Sequence, residues 1–231
     1  VPSAVERLLR LETDHSALLA RLRALDPALG PALDFSPGLR LLRQDPWETL
    51  ASFILSSHNN VPRISRMVDA IRARWGAPLR WGALEVHAFP TPEVLARATE
   101  EELRGCGLGF RAPYLLRAAR EVAAGRMDLE GLREVPTEVA RRRLSGLSGV
   151  GPKVADCVLL FSLGRLDVFP VDLWVKRAIE AIYFGGTPVT LREVRRTAEE
   201  RFGGMAGFVQ AHLFEWARGT RVGAVQPSGR L

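Results

Sequence analysis

Apolar side chains recur every three or four residues along most of the chain, as they do at Met67, Ile71 and Trp75. This is the spacing of one face of an amphipathic α-helix. The alternating pattern of half-buried strands is nearly absent. Clusters of Pro and Gly interrupt the helical pattern and divide the chain into about ten helices joined by short loops. The pattern therefore predicts an all-α protein.

No repeat, low-complexity tract or long linker marks a boundary inside this pattern. We expect residues 1–217 to form one helical unit. Residues 218–231 are rich in Gly and polar side chains, and we expect them to form a flexible tail. With 231 residues, of which 47% are hydrophobic, the chain can bury a substantial core. No apolar run reaches the length of a membrane helix, so we expect no association with a membrane.

Cysteine is scarce, since only Cys106 and Cys157 occur. Two thiols are too few for a four-thiolate zinc site or an iron–sulfur cluster held by four thiolates. We therefore expect no iron–sulfur cluster and no required cofactor. A reducing cytoplasm fits this composition.

The formal net charge of +6 favours a polyanionic partner, because clustered cations release the counterions condensed on a phosphate chain. Thirty of the 32 cationic residues are arginine, and the other two are Lys153 and Lys176. An amine can lose its proton at accessible pH, whereas a guanidinium cannot. Both lysines are therefore candidates for chemistry.

The segment LSGLSGVGPKVADCVLLF, from Leu144 to Phe161, has the pattern of a helix-hairpin-helix over about residues 136–163. Gly149 and Gly151 permit a tight turn and the close approach of a phosphate, and Pro152 suits a first helical turn. Backbone N–H groups at that helix start can bind a DNA phosphate without reading sequence. An ordinary turn between two helices is the alternative.

Lys153 and Asp172 each occupy the beginning of a predicted helix. The helix dipole disfavours a cation at Lys153, which favours the neutral, nucleophilic amine. A solvated lysine that touches phosphate is the alternative. Asp172 stands where a helix N-cap is expected, and a capping carboxylate could also face a cationic sugar. The two residues together favour a chemical role more than either does alone.

These residues resemble the helix-hairpin-helix DNA glycosylases, and within them the 8-oxoguanine DNA glycosylases that also cleave abasic sites. The resemblance extends over roughly residues 8–216. Its most specific segments are LRLLRQDPW from Leu39, FILSSHNN from Phe53, GLGFRAPY from Gly107, the hairpin with Lys153, and PVD from Pro170. It implies two helical lobes with the active-site cleft between them.

The resemblance implies a role for each candidate residue. Lys153 would attack the sugar and form a Schiff base that β-elimination resolves, and Asp172 would assist it. The base pocket would be formed by Cys157, Pro170, Gln210 and Phe214. DNA would be bound by His58, Asn59, Asn60, Arg63, Phe110, Arg111, Gly149 and Gly151, with His58 where the family has Asn. An optional Na⁺ or K⁺ ion would bind the carbonyls of Ser145, Leu147 and Val150.

The expected activity is therefore removal of 8-oxoguanine from damaged double-stranded DNA by a monomeric, DNA-associated cytoplasmic enzyme. Long relatives carry an antiparallel β domain ahead of the helices, whereas this sequence begins directly with helical patterns. Two alternatives stay open. One is a monofunctional glycosylase for alkylated bases, in which water attacks the sugar. The other is a helix-hairpin-helix protein that binds DNA without altering it.

Overall fold

The computed structural model describes residues 2–223, and they are mainly helical. They divide into two compact units. The terminal unit contains both ends of the chain, up to Arg43 and from Gly164 onward, and the central unit is Gln44–Leu163. The two units agree with the two helical lobes that the resemblance implies, since the chain leaves the terminal unit after Arg43 and returns to it at Gly164.

The terminal unit contains six helices among its described residues. They are α1 (Pro2–Leu9), α2 (His15–Leu25), α3 (Gly30–Phe35), α11 (Leu173–Tyr183), α12 (Leu191–Phe202) and α13 (Ala206–Thr220). Helix α13 packs against α11 and α3. The core between them is apolar and includes Leu33, Ile179, Val209 and Leu213, all fully buried.

The central unit contains seven helices and a two-stranded sheet. They are α4 (Pro46–Leu55), α5 (Val61–Trp75), β1 (Pro78–Trp81), β2 (Leu84–His87), α6 (Pro92–Leu95), α7 (Glu100–Gly105), α8 (Ala112–Ala123), α9 (Thr137–Ser145) and α10 (Pro152–Phe161). Helix α10 packs against α4 and α9. Helices α9 and α10 confirm the helix-hairpin-helix predicted at about 136–163.

The described residues contain thirteen α-helices rather than about ten, since α3, α6 and α7 are six residues or shorter. The all-helical expectation also missed the antiparallel hairpin of β1 and β2. Its residues are solvent-exposed except for the half-buried His87, so neither face of this short hairpin is buried in the core. Among residues 2–223, no helix has the length and apolar character needed to cross a membrane.

The predicted start of a flexible tail at Arg218 is wrong, because α13 continues to Thr220. The helix ends where Arg221 adopts a left-handed conformation, with φ 53°, and donates its N–H to the Ala217 carbonyl. Residues 224–231 of the predicted tail lie outside the described residues.

Candidate functional site

The hairpin between α9 and α10 needs glycine at Gly149. This residue has φ +83°, and a Cβ there would lie 2.6 Å from the ring of Tyr114. Gly151 differs, since its backbone is extended (φ −84°) and a Cβ would meet nothing within 4 Å. The turn and its packing therefore require glycine at position 149. The space beside Gly151, in front of α10, is open.

That open space lies at the beginning of α10. Gly151 is the N-cap, Pro152 occupies the first turn, and no side chain accepts a hydrogen bond from the backbone N–H groups there. The first N–H groups of a helix have no partner within the helix, and they carry partial positive charge. An anionic oxygen of a ligand can bind at such a helix start.

Lys153 lies in this first turn and is partly buried. Its Nζ is 3.4 Å from the hydroxyl of Ser56, at the end of α4, and 4.8 Å from the ring centroid of Phe53. Phe53 in turn stacks on Phe161, with 5.6 Å between the ring centroids. The amine is therefore held against α4 by a hydroxyl and an aromatic face. Lys153 is thus not a fully solvated side chain.

Asp172 caps α11 in the terminal unit. Its Oδ1 accepts a hydrogen bond from the Val175 N–H at 2.9 Å, so the N-cap predicted from the sequence is confirmed. The carboxylate is partly exposed, and its second oxygen is available for another cation or donor. A role in capping and a role in chemistry are therefore compatible.

The four residues predicted for a base pocket are distributed over both units. Cys157 lies one turn after Lys153 in α10 and is buried in the central unit. Pro170, Gln210 and Phe214 belong to the terminal unit. Gln210 and Phe214 lie one turn apart on α13, and the Oε1 of the buried Gln210 has no hydrogen-bond partner within the described protein. An orphaned buried acceptor is unfavourable unless a ligand or water donates to it.

The loop between α4 and α5 carries three of the predicted DNA-binding residues. His58 is exposed and has φ +48°. Asn59 donates from Nδ2 to the Leu55 carbonyl at 2.9 Å, and Asn60 caps α5 by accepting from the Arg63 N–H at 3.0 Å. The side chains of His58 and Arg63 are therefore presented to solvent, whereas the Asn59 and Asn60 side chains stabilise the loop itself.

Phe110 and Arg111 belong to a 3₁₀ turn, Gly109–Arg111, directly before α8. Phe110 is half exposed, whereas Arg111 is only 2% exposed. The Arg111 guanidinium donates from Nε to the Ser57 carbonyl at 2.8 Å and from Nη2 to the His58 carbonyl at 2.9 Å. Burial, with a smaller contribution from the positive charge of Arg63, lowers the pKa of Arg111 from its ordinary value. In this structure the Arg111 guanidinium therefore donates to backbone carbonyls of the loop between α4 and α5.

The carbonyls proposed for a monovalent cation lie at the C-terminal end of α9 and in the hairpin. Carbonyls at a helix C-terminus lack partners within the helix. The Leu147 carbonyl accepts the Val150 N–H at 3.1 Å, which leaves it a second lone pair. These backbone oxygens suit an alkali ion. Within residues 2–223, no group of three or more His, Cys, Asp or Glu side chains could hold a metal ion.

A family model described as the HhH-GPD superfamily of base excision DNA repair proteins matches residues 51–203. The chain belongs to this superfamily. The match spans α9, the hairpin, α10 and Asp172 at the beginning of α11. A second model, described as the N-terminal domain of 8-oxoguanine DNA glycosylase, matches residues 2–50. These residues form α1 to α3 and half of α4, and residues 2–77 contain no strand.

Relatives within the superfamily cover most of this chain. A probable N-glycosylase/DNA lyase of Methanothermobacter thermautotrophicus is 37% identical over 84% of this chain and 68% of its own length. The Saccharomyces cerevisiae N-glycosylase/DNA lyase is 34% identical, over 77% of this chain and 56% of its own length. The chain thus spans about half to two thirds of these curated relatives.

A solved structure of similar fold is the Clostridium acetobutylicum 8-oxoguanine glycosylase/lyase with double-stranded DNA containing cytosine opposite 8-oxoG. It is 36% identical, has a TM-score of 0.89, and covers 94% of this chain and 74% of the solved chain.

Sequence reasoning missed one buried ion pair in the superfamily's helix-hairpin-helix. The Arg141 Nε lies 2.6 Å from the Asp156 Oδ1, and the Asp156 side chain is 8% exposed. The pair joins α9 to α10 beside Cys157. An acidic residue within the apolar run VADCVLL was the signal, because a buried carboxylate in an apolar helix needs a cationic partner.

Proposed function

We propose that this chain is a bifunctional DNA glycosylase and abasic-site lyase that removes 8-oxoguanine from duplex DNA. The observation that carries the proposal is the position of Lys153, a partly buried amine in the first turn of an uncapped helix. The superfamily membership and the relatives named N-glycosylase/DNA lyase support the same activity. We also propose roles for the other candidate residues and 8-oxoguanine as the base that is removed.

Lys153 supplies the nucleophile. Its neutral amine attacks C1′ of the damaged nucleotide, and the bond from C1′ to the base breaks as the base leaves with the bonding electrons and takes up a proton. Opening of the sugar ring converts the C1′ adduct to a Schiff base. Loss of a proton from C2′ then expels the 3′ phosphate, which nicks the strand. One amine therefore serves both reactions.

Asp172 supplies negative charge. A carboxylate fixed by the first turn of α11 needs no reorganisation when positive charge develops on the sugar. We assign it the role of assisting the nucleophile by stabilising the cationic sugar. Because the cap uses only one of its oxygens, the other is available for this role.

Recognition of the extruded base falls to four residues. The unpaired Oε1 of Gln210 accepts a hydrogen bond from the base, and the Phe214 ring one turn away stacks on it. We also assign Cys157 and Pro170 contacts with the extruded base. A buried acceptor that finds its donor only in the bound base discriminates strongly against bases that lack the donor.

The DNA duplex is held by the loops of the central unit. The helix start after Gly149 and Gly151 binds a backbone phosphate, and the carbonyls of Ser145, Leu147 and Val150 would hold a Na⁺ or K⁺ ion whose charge attracts that phosphate. His58, with Asn59 and Asn60 shaping its loop, fills the gap left by the extruded base. The exposed Arg63 and Phe110 contact the opposite strand. We propose that the protein acts as a monomer.

Borohydride trapping tests the proposal. Reduction of the Schiff base joins the enzyme covalently to an oligonucleotide containing 8-oxoguanine, whereas attack by water leaves no adduct. Lys153→Gln is expected to abolish trapping while binding to the duplex persists. Lys176→Gln is the matched control, because Lys176 is the other lysine and pairs with Glu180 on α11.

Three results would contradict the proposal. Trapping and nicking by Lys153→Gln at the normal rate would remove Lys153 from the chemistry. Base release by the wild type without any adduct would favour a monofunctional glycosylase, and release of alkylated bases instead of 8-oxoguanine would identify its substrate. Binding of the duplex without base release would favour a DNA-binding protein that performs no chemistry.

A further inference from the structure

The guanidinium of Arg111 is held in place by backbone carbonyls. Besides its bonds to Ser57 and His58, Nη1 lies 3.4 Å from the Leu108 carbonyl. Each of the three guanidinium nitrogens therefore faces a carbonyl of the same unit, in a side chain only 2% exposed. Loss of these carbonyl partners would leave a buried charge unpaired, which is strongly unfavourable, so we expect the contacts to persist in the free protein.

The loop that Arg111 binds contains an unfavourable backbone conformation. His58 has φ +48°, in the left-handed region that residues with a Cβ adopt at a free-energy penalty. Its own carbonyl and that of Ser57 both accept from Arg111. The guanidinium can therefore compensate for the strained residue, because removing it would leave both carbonyls without this donor.

Arg111 also connects this loop to the hairpin. Its guanidinium carbon lies 4.3 Å from the Phe110 ring centroid, and Phe110 meets Tyr114 edge to face with 6.5 Å between centroids. The Tyr114 ring occupies the space beside Gly149. A continuous series of contacts thus runs from His58 to the phosphate-binding turn, entirely within the central unit.

We propose that Arg111 is a positioning residue that fixes the left-handed turn at His58 and keeps the His58 side chain directed outward for insertion into the duplex. Arg63, whose side chain is exposed, contacts the opposite base. The DNA part of this inference rests on the proposed function. The loop part does not, because it concerns the free protein.

Amide hydrogen exchange in the free protein tests the loop part. Arg111→Met keeps much of the side-chain volume and removes the donors, and it is expected to accelerate exchange of amides in residues 57–60 by about tenfold or more. Arg63→Met, on the neighbouring exposed arginine, is the control and should leave that exchange unchanged. If Arg111→Met leaves exchange in residues 57–60 as slow as in the wild type, the positioning role is wrong.

A second substitution separates loop positioning from general destabilisation. Glycine adopts positive φ without a steric penalty. His58→Gly is therefore expected to slow exchange again when it is combined with Arg111→Met. We expect the double variant to reverse at least half of the increase in the logarithm of the exchange rate. No restoration would contradict the inference. If Arg111→Met folds poorly, Arg111→Lys takes its place in the test. Lysine retains the charge but lacks the planar donor arrangement, so we expect the same faster exchange in residues 57–60.

Binding to duplexes that carry an uncleavable abasic analogue opposite each of the four bases tests the DNA part without requiring catalysis. Arg111→Met should weaken binding to all four duplexes by a similar factor, whereas Arg63→Met should reduce the differences among them. Loss of preference in Arg111→Met with a loop as ordered as in the wild type would make Arg111 the reader. Failure of trapping in the wild type would refute the proposed function and leave the exchange result intact.

Discussion

Helices α10 and α11 both begin after a residue with extended backbone, but their first turns are completed differently. Gly151 precedes α10 and provides no side chain, so the first N–H groups stay open to a ligand. Asp172 precedes α11 and satisfies the Val175 N–H itself. The same helix-start chemistry therefore leaves N–H groups uncapped in one unit and fixes a carboxylate in the other.

The difference shows that the residue at the N-cap decides which charge a helix start presents. An uncapped start attracts a phosphate, and a start capped by aspartate offers a carboxylate to a cation. In the proposed reaction, the first would hold the DNA backbone beside Lys153, and the second would face the sugar as it becomes positive.

The largest expected effect comes from removing the charge at α11. Asp172→Asn retains a capping side chain but no carboxylate, so base release should slow by about 10²- to 10³-fold with little change in the free energy of unfolding. Single-turnover kinetics and urea unfolding measure the two quantities. Asp14→Asn is the matched control, since Asp14 caps α2 in the same unit by accepting the Ala17 N–H at 3.0 Å. Normal base release by Asp172→Asn would leave Asp172 as a cap alone.

A buried histidine limits the pH range in which the two helix starts can be compared. Burial lowers the pKa of His212 on α13 from 6.5 to about 4, with a smaller effect from His15. The folded state thus binds this proton less readily than the unfolded state. As pH falls from 6.5 to 4, the free energy of unfolding should drop by about 3 kcal/mol, since each pKa unit corresponds to about 1.4 kcal/mol.

Urea unfolding at pH 7.5 and pH 4.5 checks this expectation. His212→Gln should flatten the pH dependence, although it will lower stability at neutral pH by changing the core. An equal drop in the variant and the wild type would assign the acid sensitivity to other groups. Kinetic comparisons of Asp172 variants therefore belong above pH 6.5.

Closing the open helix start gives a smaller effect. Gly151→Asp places a carboxylate where we expect phosphate, and open space there accommodates the side chain. Affinity for duplex DNA should fall by about tenfold, because the added charge repels the phosphate and the side chain competes for the N–H groups. Gly151→Asn is the uncharged control and should lose less. Fluorescence anisotropy at fixed salt measures both, and unchanged affinity in Gly151→Asp would mean that phosphate binds elsewhere.

The smallest effect concerns stability. Asp172→Ala should lower the free energy of unfolding by about 1 kcal/mol because α11 loses its cap. Gly151→Ser should raise it by a few tenths of a kcal/mol by supplying a cap to α10. Thermal unfolding of both variants checks the opposite signs. A stabilising effect of Asp172→Ala would show that the cap contributes nothing to folding.

The sequence predicted both helix starts because caps and glycine turns are local features. Gly149, Pro152 and Asp172 occupy the positions that their intrinsic conformational and hydrogen-bonding preferences favour. The helix-hairpin-helix was predicted for the same reason. These elements carry the two residues to which we assign the chemistry.

The contacts of Arg111 could not be predicted in this way. Its partner His58 is 53 positions away, and a pattern of residue types does not show that a guanidinium will turn toward carbonyls of another loop. The positive φ of His58 was likewise hidden, since left-handed turns are usually recognised by glycine or asparagine. The strands β1 and β2 were missed because each has only four residues, so the alternation at Leu84, Glu85 and Val86 is too short to distinguish a strand from a loop.

The missing cap of α10 also links folding to binding. If a DNA phosphate accepts hydrogen bonds from those N–H groups, the nucleic acid completes the first turn of the helix, and the free energy of binding adds to that of folding. The melting temperature of the protein should then rise with duplex concentration and fall back as salt displaces the duplex. Bound DNA would then contribute to the free energy of unfolding of the protein.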